Sequence, residues 1–115
     1  MREITISVFN IVGNPFCVDA EDGEKVYSLL KKALNEDQKI KISFQNVEML
    51  TSAFLNTAIG QVYRDFKEDI IKSNLSVEYL SPEDMALLKR VNSTAKLYYK
   101  NPERMQNSID EILGE

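Results

Sequence analysis

The sequence predicts a single α/β domain, and three observations carry that prediction. Three segments, residues 3–9, 39–44 and 75–80, alternate apolar and polar side chains with a period of two, the mark of half-buried strands. Between and after them, apolar residues recur at spacings of three and four, the mark of helices laid on a core. The chain has 115 residues, 43% of them apolar and 28% charged, enough for one hydrophobic core without metal or disulfide support. The expected order is β-β-α-β-α-β-α-α. It describes an N-terminal hairpin followed by βαβαβ, hence a mixed sheet of about four strands with helices packed on it and a helical C-terminus. The expected boundaries are those of the whole chain, 1–115.

Each element has a local reason. In the first segment Ile4, Ile6 and Val8 share one face, and Thr5 and Ser7 the other. Val12-Gly13-Asn14-Pro15 is turn chemistry, because Gly and Asn tolerate positive φ and Pro fixes its own. Phe16, Cys17 and Val18 then form the second strand of the expected hairpin. A helix begins in the acidic run 19–23, with Asp22 as its expected cap and acids favoured by the dipole. Val26, Leu29, Leu30, Ala33 and Leu34 form its stripe. The next strand places Ile40, Ile42 and Phe44 on one face.

The longest helical pattern starts at Thr51 and is expected to run to residues 73–74. Its stripe is Phe54, Leu55, Ala58, Ile59, Val62, Phe66 and Ile70. Gly60 lies inside it, at a cost of about 1 kcal/mol relative to Ala, and is expected to mark close packing against a neighbour. After the strand at 75–80, Ser81-Pro82-Glu83-Asp84 reads as cap, first-position proline and first-turn acids. Asn101-Pro102-Glu103 repeats that signal for a last helix ending at Gly114.

Several function classes are poorly supplied. The chain contains no histidine, which removes Ser-His-Asp and Cys-His catalysis and the commonest zinc ligand. Neither G-x-x-x-x-G-K-[ST] nor G-x-G-x-x-G occurs among four glycines. No enzyme activity, cofactor or metal is expected. A net charge of −4 without a basic cluster argues against nucleic acid. No apolar run is long enough for a membrane span, and the N-terminus lacks an apolar signal core. A cytoplasmic location is expected, and the single Cys17 fits a reducing compartment as a buried thiol.

The sharpest candidate site is the strand-to-helix junction. Thr51 and Ser52 both place hydroxyls where free backbone N–H groups and the helix dipole favour a negative group. Two readings attach to this region. One, drawn together with a family resemblance, is a surface for a protein partner over residues 47–61, from Val47 to Gln61. The other is a small-ligand sensor, with a nucleotide or anion held at the Thr51/Ser52 helix end.

The block Asn46-Val47-Glu48, Leu50-Thr51-Ser52-Ala53-Phe54-Leu55-Asn56 and Ile59-Gly60 resembles the bacterial STAS-like domain family of unknown function. Leu88-Lys89-Arg90-Val91 and Asn101-Pro102-Glu103-Arg104 extend the resemblance. That family is similar to the STAS domains of anti-sigma factor antagonists. Those proteins carry an Asp-Ser-Ser-Gly-Leu-Gly-type segment between a strand and a helix, and a serine in it is phosphorylated by an anti-sigma-type kinase-like ATPase. Here Thr51 stands at the Asp, Ser52 at the first Ser and Leu55 at the Leu. Ala53 stands at the usual acceptor, and Phe54 and Asn56 replace the glycines. The resemblance implies a regulatory protein-binding module whose partner is such an ATPase, with Thr51, Ser52, Phe54 and Asn56 at the interface or switch.

Overall fold

The computed structural model describes residues 3–100. The expected last helix, residues 101–114, lies outside them. Within the described residues the chain forms β1 (Glu3–Ser7), α1 (Val8–Val12), β2 (Phe16–Cys17), α2 (Ala20–Asn35), β3 (Lys39–Ser43) and β4 (Met49–Leu50). It continues with α3 (Ser52–Leu55), a π-helical turn (Asn56–Gly60), α4 (Val62–Asp65), α5 (Glu68–Asn74), β5 (Leu75–Glu78) and α6 (Pro82–Lys100).

The α/β class and the βαβαβ order stand. β3 is the centre of a parallel three-stranded sheet ordered β1-β3-β5, with Ile4 opposite Ile40 and Ile42 opposite Val77. Ile6, Ile40, Ile42 and Phe44 sit in one buried cluster with Val26, Leu30 and Leu34 of α2. The opposite face carries Thr5, Lys41 and Ser76 in register, and none of these is buried. One sheet face therefore takes the helices, and period-two alternation is visible for that reason.

The N-terminal hairpin does not form. Ser7 caps α1 by accepting the Asn10 N–H at 3.2 Å, and Gly13, at φ 88°, closes it by donating to the Phe9 carbonyl at 2.8 Å. A residue with positive φ just past a helix end is the usual way to finish a helix, and glycine takes it without steric cost. The glycine read as a hairpin turn thus ends a helical turn. Phe16 and Cys17 instead pair in parallel with Met49 and Leu50, a short strand hidden in what reads as a connection. The Glu48 N–H donates to the Pro15 carbonyl at 2.8 Å and starts that pairing. The described sheets are parallel throughout, three strands and two, rather than one mixed sheet.

Other corrections are local. Asp19, not Asp22, occupies the cap position of α2, and Asp22 sits in its first turn paired with Lys25 at 3.2 Å. The long central helix is interrupted, because Phe66 (φ −133°, ψ 150°) and Lys67 adopt extended backbone between α4 and α5. The break shifts the helical phase: Ile71 is buried where Ile70 was expected, and Ile70 is exposed. The strand β5 stops at Glu78 because Tyr79 takes φ 62°, outside the strand region. The Ser81 cap is confirmed, its hydroxyl accepting the Asp84 N–H at 3.1 Å.

Candidate functional site

The β4–α3 junction is built from two strands that lie side by side. Cys17 and Leu50 are register partners facing the core, so Phe16 and Met49, one residue earlier on each strand, share the outer face. Each of that outer pair is 51% exposed. Just past the strands, the Thr51 hydroxyl donates to the Val18 carbonyl at 2.7 Å and accepts the Phe54 N–H at 3.2 Å. One hydroxyl thus ties the end of the β2 segment to the first turn of α3. This is capping chemistry, and it leaves Thr51 with its donor and an acceptor engaged.

The four residues singled out by sequence separate into two groups. Ser52 and Asn56 are exposed, and the exposed Ala53 lies between them in the chain. Phe54 is 0% exposed and is a core residue, so it has no surface to offer a partner. Thr51 is half-buried and structural in its contacts. Phe16 and Met49 were missed. Phe16 was visible only as part of a strand, and nothing in the sequence pairs it with Met49.

Two features hold the junction rigid. The first is the close crossing of α2. A Cβ added at Gly23 would stand 2.8 Å from the Phe54 carbonyl oxygen and 2.9 Å from the Thr57 Cβ, so only glycine lets α2 approach here. The second is the π-helical turn. The Gln61 N–H reaches back five residues to the Asn56 carbonyl at 3.1 Å, and Ala58, Ile59 and Gly60 are buried together. The Gln61 side-chain amide donates to the Thr57 carbonyl at 2.9 Å and to the Glu24 carboxylate at 3.0 Å. A carbonyl inside the widened turn is thereby satisfied, and the turn is stitched to α2.

The junction has an acidic setting. Asp19 and Glu21 at the start of α2 are exposed, as is Glu48 before β4. Burial, helped by the negative charge of Asp22, pushes the Cys17 thiol up to about 11. At neutral pH that thiol is protonated and a poor nucleophile. Among the described residues no group of three or more Cys, Asp or Glu side chains is arranged to hold a metal ion. No described helix is long and apolar enough to cross a membrane. A cleft of about 250 Å³ lined by Tyr63, Phe66, Lys67, Glu68, Lys96 and Tyr99 lies between the α4–α5 region and α6, and does not include Thr51 or Ser52.

A one-faced parallel sheet with an exposed, capped strand-to-helix turn defines a small α/β module. Residues 22–85 match the model of a family described as a STAS-like domain of unknown function (DUF4325). That match spans more than half of the 115 residues, and the chain belongs to this family. No curated protein and no solved structure matches the chain.

Proposed function

We propose that this STAS-like chain is a non-catalytic regulatory module that binds a protein partner through the exposed face of the β4–α3 junction. The observation that carries the reading is the contrast within the junction. Its backbone is fastened by Thr51, Gly23 and Gln61, while Met49, Ser52, Ala53 and Asn56 are left outside. A rigid exposed turn loses little conformational entropy on docking. The resemblance to anti-sigma factor antagonists points to a kinase-like ATPase of the anti-sigma type as the partner. Ser52 is the junction hydroxyl open to modification by such an enzyme, since Thr51 is engaged on both sides.

The rival reading is a nucleotide or anion held at the helix start, and it has less support. The helical backbone that starts at Ser52 runs through the π-helical turn to Asp65, so a dipole is present, but no basic side chain lies within the 42–63 segment to hold an anion at its start. One orphan N–H there, that of Phe54, is already satisfied by Thr51.

The test uses Ala53→Trp, which adds bulk at an exposed position without adding charge. Titration against an anti-sigma-type kinase-like ATPase from the same organism, with a melting curve in parallel, is the measurement. The expected result is an unchanged melting temperature and binding at least tenfold weaker, about 1.4 kcal/mol. Undiminished binding by the variant would place the interface elsewhere.

A further inference from the structure

Phe16 and Met49 are large, half-exposed and side by side, and they flank the fastened turn that ends at Ser52. Exposed apolar side chains scattered singly need no explanation, but a register-paired couple on one face is a contiguous patch. The segments that carry it are acidic, with Lys25 paired to Asp22 at their margin. Residues 8–24, which carry β2 and the start of α2, contain Asp19, Glu21, Asp22 and Glu24 and no lysine or arginine. Residues 42–63, which carry β4, α3 and the π-helical turn, contain Glu48 and no lysine or arginine. Five of the chain's eighteen acidic residues therefore lie in these two segments, and none of its fourteen basic ones. Such one-sided charge around an apolar centre steers partners of opposite sign and repels like-charged ones.

We infer that the partner surface docked here is an apolar anchor flanked by lysine or arginine, seated on Phe16 and Met49 with its cations facing Asp19, Glu21 and Glu48. The inference rests on the protein-binding reading above and names the chemistry of its partner. The apolar pair supplies the desolvated centre, and the acidic residues form a rim whose contribution is to rate and selectivity. Asp22 and Glu24 are partly spoken for by Lys25 and Gln61, so the rim is chiefly Asp19, Glu21 and Glu48.

The experiment uses the full chain, isotope-labelled, and three designed helical peptides of equal length. One has a Leu/Phe stripe flanked by lysines, the second the same stripe flanked by glutamates, and the third the lysines without the stripe. The lysine-flanked stripe is expected to perturb the amide signals of residues 16–19 and 48–52 and to bind at least tenfold tighter than either control. Its affinity is expected to fall as salt is raised from 50 to 500 mM, as for a screened charge pair. The exposed double variant Phe16→Ser/Met49→Ser should lose that binding, and Asp19→Asn/Glu48→Lys, which keeps a capping residue at 19, should weaken it about tenfold, with melting unchanged in both. Equal binding of the lysine and glutamate peptides, equal binding without the stripe, or signal changes confined to other elements would overturn the inference. If that happens while Ala53→Trp still weakens ATPase binding, the docking face survives and its assigned chemistry falls. If the peptides behave as expected and Ala53→Trp has no effect, the patch stands apart from the ATPase interface.

Discussion

Thr51 and Ser52 are neighbours with the same functional group and different fates. The Thr51 hydroxyl bridges the Val18 carbonyl and the Phe54 N–H, at 2.7 and 3.2 Å. Removing it leaves a half-buried carbonyl and a first-turn N–H without that partner, and each such loss costs about 1–3 kcal/mol. Thr51→Val keeps the shape and should therefore lower unfolding stability by about 1–3 kcal/mol in urea melts. Ser52→Ala, at an exposed position, should stay within about 0.5 kcal/mol of the parent. A stability loss at Ser52 equal to that at Thr51 would mean that the cap has been assigned to the wrong hydroxyl. The same pair shows the limit of residue type as a signal. Either residue reads as an N-cap, and only the position of Val18, thirty-three residues earlier in the chain, selects between them.

Helices meet at two glycines, and the two have opposite requirements. At Gly23 an added Cβ meets backbone and a β-carbon under 3.0 Å, where nothing can yield without moving the helix. At Gly60 the nearest atoms, from Ala95, Asn56 and Val91, stand 3.7 Å away, ordinary contact distance. Gly23→Ala should destabilise by about 1–3 kcal/mol through overpacking. Gly60→Ala should be neutral or stabilise by up to about 1 kcal/mol, as the unfolded chain loses freedom. Gly60→Leu exceeds the room against α6 and should be destabilising. Chemical denaturation of the three variants checks the ranking, and a costly Gly60→Ala with a harmless Gly23→Ala would reverse the packing assignment. Gly60 was expected to mark close packing and is indeed buried against Val91 and Ala95 of α6. The closest approach is at Gly23, which reads from sequence only as a break in an acidic helix start.

The two sheets share one core, and Cys17 lies where they meet it, with 0% exposure. Its thiol is raised from 9.0 to about 11 by burial and by Asp22. The folded state therefore holds this proton more tightly than the unfolded chain does. Below about pH 9 both states are protonated and the thiol contributes no slope. Between 9 and about 11 the unfolded chain deprotonates first, so stability should fall with rising pH over that window. Cys17→Ala, for all its packing cost, should flatten that part of the curve. Urea melts of both proteins from pH 8 to 11 make the comparison, and parallel curves would show that other groups set the slope. The charge asymmetry has the same molecular reach. The segments that form the junction carry five acids, of which Asp22 is paired with Lys25, while Lys31, Lys32, Lys89 and Arg90 lie exposed elsewhere.

The fold class, the buried stripe from Phe54 to Val62, the three sheet strands and the Ser81 cap were legible in the sequence because each depends on neighbours along the chain. Periodicity and capping act over three to five residues, and the apolar face they define is buried as expected. The helix start at Thr51, where the candidate site was sought, was legible for the same reason, since a hydroxyl pair before an apolar stripe marks a helix start. What the sequence left open depends on partners far along the chain. A strand at Phe16 was expected but not its partner: β4 is two residues, too short to show a period, and Phe16 and Cys17 pair with Met49 and Leu50 instead of with β1. The break at Phe66 contains neither proline nor glycine and is decided by α5 placing Ile71 in the core. Phe54 opens the apolar stripe, and only the family resemblance set it beside Asn56 at an interface. Packing in the shared core left Phe54 with 0% exposure and Asn56 outside, and that packing joins residues far apart along the chain.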